Sequence, residues 1–93
     1  MPELKRIHAL VQGRVQGVYY RASTRDRALT LQLTGWVRNL TDGNVEFEAQ
    51  GDAENVDKLL RWAEQGPPNA QVRRLDCDWP DPIPSEAGFD IIY

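Results

Sequence analysis

Cysteine and histidine are nearly missing from this chain: Cys77 and His8 each stand alone. One cysteine excludes an internal disulfide, and one cysteine with one histidine cannot build a zinc site of the usual kind. Long apolar runs are missing too, and none approaches the ~20 residues that span a bilayer. The opening stretch, Met1 to Ile7, mixes charged and apolar residues, which is unlike a secretory signal peptide. A cytoplasmic protein with no membrane partner is therefore expected. Bases are in deficit, 11 against 14 acids, for a net charge of −3. That balance argues against a general nucleic-acid binder, whose basic face would dominate. What is there is ordinary globular composition, 41% hydrophobic and 27% charged. With 93 residues the chain holds one core, so residues 1–93 are expected to form a single domain. Nothing in the pattern demands more than a monomer.

The charge is unevenly placed. Residues 13–41 hold Arg14, Arg21, Arg25, Arg27 and Arg38 against Asp26 alone, while the rest of the chain is strongly acidic. An acidic chain with one basic segment points to a local anion site.

Hydrophobic periodicity gives the element order. Residues 4–12 read as a strand, with Ile7, Ala9 and Val11 alternating against His8 and Gln12. A glycine-bearing loop follows, then a helix from about Arg21 to Leu31 or Leu33 with Ala22, Leu29 and Leu33 on one stripe. Thr34 to Asn39 is a second strand, and Asp42-Gly43 signals a hairpin. The third strand runs from Asn44 to Gln50, with Val45, Phe47 and Ala49 facing one way and Glu46, Glu48 and Gln50 the other. Asp52 fits the N-cap of a second helix, whose Val56, Leu59, Leu60 and Ala63 recur at helical spacing. Gly66-Pro67-Pro68 stops it. A fourth strand covers Val72 to Trp79, where Leu75, Cys77 and Trp79 are in phase and the out-of-phase Val72 suggests a bulge. Pro80 to Gly88 is a proline-rich loop, and Phe89, Ile91 and Tyr93 alternate as a short last strand.

The order β-α-β-β-α-β plus a terminal strand implies an α+β, ferredoxin-like sandwich: a mostly antiparallel sheet with both helices on one face. Trp36, Glu46, Glu48 and Gln50 would line the other face. In such a split βαβ unit the first two strands run parallel with the third between them. The loop after Gln12 and the end of the second strand at Asn39 then emerge at the same edge. Asn39 shares parity with Val37 and would face the start of the first helix.

That loop reads Gly13-Arg14-Val15-Gln16-Gly17-Val18-Tyr19-Tyr20-Arg21. A glycine-bearing strand-to-helix loop can turn successive N–H groups toward one point, an anion nest. The helix N-terminus adds unpaired N–H groups and a positive dipole end. Arg21 can grip two phosphate oxygens at once. Taken by its composition, the loop is equally consistent with a plain β–α connection carrying a solvated arginine. It is neither a Walker A motif nor a dinucleotide fingerprint.

These residues resemble a known family. Gly13 to Arg21 is similar to the signature loop of the acylphosphatases, G-x-V-Q-G-V-x-[FY]-R. Gly35-Trp36-Val37-Arg38-Asn39, with Asp42-Gly43 and Val45-Glu46, resembles the family's second block, and weaker matches extend over most of the chain. The resemblance implies roles. Val15, Gln16, Gly17, Val18, Tyr19 and Tyr20 would hold a phosphoryl group through their backbone amides, Gly17 at the closest approach. Arg21 would bind phosphate, and Asn39 would orient the attacking water. The substrate would be an acyl phosphate and the products a carboxylate and inorganic phosphate, with no metal and no cofactor.

The chemistry is consistent with that reading. An acyl phosphate has a good leaving group, and a loose transition state asks mainly for positioning and charge compensation. Amides and Arg21 supply the compensation, Asn39 can hold a water through its side-chain oxygen, and a phosphoryl oxygen of the substrate can serve as the weak base.

Other readings remain. A non-catalytic module binding a phosphorylated metabolite would use the same loop and Arg21, though it has no need of Asn39. An RNA-recognition module shares the element order but needs aromatics where Glu46, Glu48 and Gln50 stand. The N-terminal domain of hydrogenase-maturation carbamoyltransferases is a third, in much longer chains; the last strand ends this one, so a free-standing enzyme is expected. Among single residues, His8 reads as a sheet-face histidine, Cys77 as a small core residue, and Glu46 and Glu48 as a solvated strand face. Trp36, Trp62 and Trp79 read as packing residues, and Arg14 and Arg38 as weak candidates for steering anions. Gln32 stands where the family often has glycine, at a cost of about 1 kcal/mol if the position is left-handed. Tyr20 replaces the family's commoner Phe and needs a hydroxyl partner if buried.

Overall fold

A computed structural model describes residues 3–92. Seven elements follow in order: β1 (Leu4–Arg14), α1 (Tyr20–Thr30), β2 (Thr34–Asn39), β3 (Val45–Asp52), α2 (Ala53–Ala63), β4 (Gln71–Asp78) and β5 (Phe89–Ile92). The five strands form one sheet in the order β4-β1-β3-β2-β5. β3 is antiparallel to both β1 and β2, so these two run parallel to each other, and β5 adds in parallel to β2. This is the ferredoxin-like α+β sandwich expected from the element order, with β3 inserted between β1 and β2. Tyr93, the expected end of the last strand, lies outside the described residues.

Alternation places Ile7, Ala9 and Val11 of β1 opposite Ala49, Phe47 and Val45 of β3, all buried on one face. α2 packs on β1 and β3, and α1 on β2 and β5. The cap of α2 is as expected: Asp52 Oδ1 accepts from the Glu54 N–H at 3.1 Å, and Val56, Leu59 and Ala63 are buried. The stripe on α1 differs from the expectation. It buries Tyr20, Thr24 and Ala28, while Leu29 is 51% exposed. Thr24 satisfies its hydroxyl by donating to Tyr20 O at 2.8 Å, so a polar residue sits in the core face without cost. The Tyr20 hydroxyl donates to Ala63 O at 2.6 Å, tying the start of α1 to the end of α2. Leu33 is buried, but it lies beyond the helix, after Gln32 at φ 58°.

The bulge expected near Val72 is present. Gln12 pairs with Arg74 and Gly13 with Val72, so Arg73 is the extra residue of β4. Gly13 is required here: at φ 133°, a Cβ would lie 2.2 Å from Gln71 O.

Two expectations are corrected. Cys77 is exposed, not a core residue. It pairs with Ala9 and shares its face, but β4 is the outermost strand, beyond the cover of the helices. Glu46 and Glu48 do not form a solvated face. The 80–88 loop folds across the outer side of the sheet and closes over Arg6, which is 1% exposed. Arg6 donates to Glu48 Oε1 (2.6 Å), to Gln50 Oε1 (3.1 Å) and to both oxygens of Glu86 (2.8 and 3.2 Å). Gln50 in turn bonds both backbone groups of Ile83. A buried cation with every neighbour aligned in this way is tolerable, whereas one left unpaired would not be. His8 lies on this same face between Glu46 (2.7 Å) and Asp78 (2.8 Å), as a sheet-face histidine.

Candidate active site

The strand-to-helix loop leaves β1 and turns through residues of alternating handedness. Gly17 has φ 74° and Tyr19 φ 63°, with Val18 between them at negative φ. Such alternation aims successive N–H groups at a common point. A Cβ at Gly17 would meet no protein atom within 4 Å, so the demand for glycine there comes from the backbone angle. Tyr19 pays the same steric penalty without being glycine, and the residue is 82% exposed. Strain of this kind, at a side chain that packs against little, is characteristic of functional loops.

Tyr19 is the N-cap of α1, and no side chain caps the helix. The first turn holds no acidic residue, and its first backbone bond runs from Ser23 N to Tyr19 O at 3.0 Å. The N-terminal dipole end of α1 therefore has no carboxylate of its own. Val15 and Tyr20 are buried and Val18 nearly so, anchoring the loop from below.

Asn39, the last residue of β2, faces this loop. A cavity of ≈ 390 Å³ is lined by Val15, Gly17, Tyr19, Tyr20, Arg21, Ala22, Asn39 and Ile91. Arg21 is the only charged group among them. The topology thus brings together the two features that lie 18 residues apart in sequence, Arg21 and Asn39. The Asn39 side-chain oxygen is buried and has no hydrogen-bond partner among the described residues. An orphaned buried acceptor is costly unless a ligand or water completes it, at roughly 1–3 kcal/mol. No His, Cys, Asp or Glu lines the cavity. Tyr20 is no acid or base here, because burial pushes its pKa up and its hydroxyl is committed to Ala63 O. Among the described residues no three His, Cys, Asp or Glu side chains gather to hold a metal ion.

Gln16 makes side-chain contacts that composition alone conceals. Its side-chain amide donates to Leu40 O and to Asn44 O, both at 2.8 Å. These carbonyls belong to the hairpin turn that follows Asn39, itself closed by Leu40 N to Asn44 O at 2.8 Å and by Asp42 Oδ1 accepting from Asn44 N at 3.0 Å. One side chain thereby ties the loop to the hairpin bearing Asn39. Ile91 of β5 was also missed and lines the cavity wall. None of Trp36, Trp62 and Trp79 lines it: Trp62 stacks on Tyr20 at 5.5 Å, Trp36 lies under Arg38, and Trp79 is half exposed beneath Lys5.

Comparison with known proteins shows the family. A family model described as Acylphosphatase matches residues 7–91. An acylphosphatase of Pelotomaculum thermopropionicum is 51% identical over 88 residues, covering 95% of this chain and 96% of that protein. One of Methylococcus capsulatus is 63% identical over 73 residues, covering 78% and 79%. The solved structure of an acylphosphatase from Coxiella burnetii matches with a TM-score of 0.89 and 38% identity, covering 96% of this chain and 93% of that one.

Proposed function

The chain belongs to the acylphosphatase family, and we propose on that premise that the amides of residues 15–20 and Arg21 hold the phosphoryl group while Asn39 holds the attacking water. The activity is hydrolysis of an acyl phosphate to a carboxylate and inorganic phosphate. The observation that carries the assignment of roles is the buried, unpartnered oxygen of Asn39 in the cavity that Arg21 also lines.

The steps balance without a protein base. The water oxygen attacks phosphorus, the phosphorus–oxygen bond to the acyl group breaks, and its electron pair leaves on the carboxylate. The water proton passes to a phosphoryl oxygen. In a loose transition state the phosphoryl charge is met by preorganised donors, here the loop amides, the α1 N-terminus and the guanidinium of Arg21. Asn39 contributes position: its oxygen accepts from the water and fixes it in line. A carboxylate leaves readily enough that no Lewis acid is required, so the reaction is proposed to be metal-independent. All the residues given a role lie in one chain, and Cys77 is its single cysteine, so the protein is proposed to act on a small molecule as a monomer in the cytoplasm.

Turnover of benzoyl phosphate, followed in the ultraviolet with EDTA present, tests this. Full activity with EDTA and competitive inhibition by inorganic phosphate are expected. Chelator-sensitive turnover would overturn metal independence, and phosphate binding without turnover would leave only a binding module.

A further inference from the structure

The cavity around Arg21 does not end at the phosphate loop. Gly17 also lines a neighbouring cavity of ≈ 440 Å³, with Arg14, Val18, Asn69 and Gln71 on its walls. Arg14 and Gln71 in turn border a third, of ≈ 310 Å³, together with Gly13 and Arg73. No acidic residue lines either one. Arg14 and Arg73 are exposed, and neither has a carboxylate partner among the described residues, although most of the chain's other basic side chains are paired. In an acidic chain, two arginines without a carboxylate on one rim make a local positive field.

A β-bulge lies at this pair. Arg14 pairs with Gln71, and the register skips Arg73 between Val72 and Arg74. Gln71 and Arg73 are two residues apart, so they share a face in a strand, and both border the cavity that Gly13 and Arg14 line. Bulges are common beside active sites.

Direction decides what the rim is for. Strand order places β4 and β1 on one side of the loop and β2, with Asn39, on the other, across β3. In-line displacement requires the water and the leaving oxygen on opposite sides of phosphorus. With the water held from β2, the acyl group departs toward β1 and β4. Val11 stands level with Asn39 across Val45, so Arg14 lies three residues further along β1 and two strand spacings of about 4.8 Å across, with Arg73 of β4 three spacings across, both on the side toward which the acyl group departs.

We propose that Arg14 and Arg73 form an anion subsite for the acyl part of the substrate, so that preferred acyl phosphates carry a second negative group on the leaving carboxylic acid. This rests on the hydrolase reading above and names its substrate class. The test compares 4-carboxybenzoyl phosphate with 4-methylbenzoyl phosphate, for wild type, Arg14→Gln, Arg73→Gln and the double variant. The readout is the ratio of kcat/KM between the two substrates, which cancels general effects on folding or steering. Each arginine is expected to contribute about fivefold to that ratio at low ionic strength, the scale of an accessible ion pair. The ratio should fall in each single variant, furthest in the double variant, and shrink with salt. An identical ratio in wild type and double variant overturns the subsite while leaving the hydrolase intact. Failure of the wild type on both substrates would instead sink the hydrolase reading beneath it.

Discussion

Replacing Gln16 should slow catalysis more than it weakens binding. Its amide makes two hydrogen bonds of 2.8 Å to the carbonyls of Leu40 and Asn44. A typical internal hydrogen bond contributes ~0.5–1.5 kcal/mol. Leu40 O also accepts from Gly43 N at 3.3 Å, and Asn44 O from Leu40 N at 2.8 Å, so neither carbonyl is orphaned by the loss. The expected cost in stability is therefore about 1–2 kcal/mol, below the sum of two full bonds. The kinetic cost is separate. The hairpin that Gln16 secures carries Asn39, and displacement of a positioning group by ~1 Å can cost up to ~100-fold in rate. Gln16→Met keeps the length of the side chain and removes both donors. Urea unfolding and steady-state kinetics on benzoyl phosphate measure the two effects. A fall in kcat of about tenfold or more, exceeding the rise in KM, is expected. A variant that loses stability but keeps kcat would refute the positioning role and leave Gln16 a structural tie.

The Gln32→Gly variant should be stabilised by up to about 1 kcal/mol, because the position sits at φ 58° where a Cβ is strained; thermal unfolding checks this, and an unchanged or lowered Tm would contradict it. His8 should make stability depend on pH. Burial lowers its pKa, but hydrogen bonds to Glu46 and Asp78 outweigh that and hold it above the usual 6.5. A raised folded pKa means that the contribution is complete below pH 6.5 and is lost as pH rises through the folded value. For Glu46 burial acts upward, but bonds from His8 and Arg38 hold it below the usual 4.5, so its contribution is lost only as pH falls through that lowered value. The stability difference between wild type and His8→Gln, measured by urea unfolding, should accordingly shrink above pH 6.5. A difference that grows with pH would contradict the assignment.

The sequence made the site more legible than parts of the core. The glycine-bearing loop and Asn39 stand out through long motifs, and the split βαβ order alone is enough to bring them to one edge. The stripe of α1 was illegible because Tyr20, Thr24 and Ala28 are an aromatic, a hydroxyl and a methyl, and only the bond from Thr24 to Tyr20 O makes the second acceptable in the core. Periodicity marked Cys77 as inward, correctly for its face, but it cannot tell a central strand from an edge. Glu46 and Glu48 alternate as solvated residues do. Their partners, Arg6 and His8, stand some 40 residues away, and the loop that closes over Arg6 carries no local sign of where it docks. Gln16 looks like one backbone amide among the six of residues 15–20, since nothing in a loop sequence shows which carbonyls a side chain will reach.

The proposed mechanism divides the work between Arg21 and Asn39. Steady-state hydrolysis of benzoyl phosphate by wild type, Arg21→Ala and Asn39→Ala, with inorganic phosphate inhibition measured for each, tests it most directly. Arg21→Ala should lose phosphate affinity and rate together. Asn39→Ala should lose rate by about 100-fold while its inhibition constant for phosphate stays near that of the wild type. Normal turnover in Asn39→Ala would contradict the account, because the buried oxygen would then hold no water that the reaction needs.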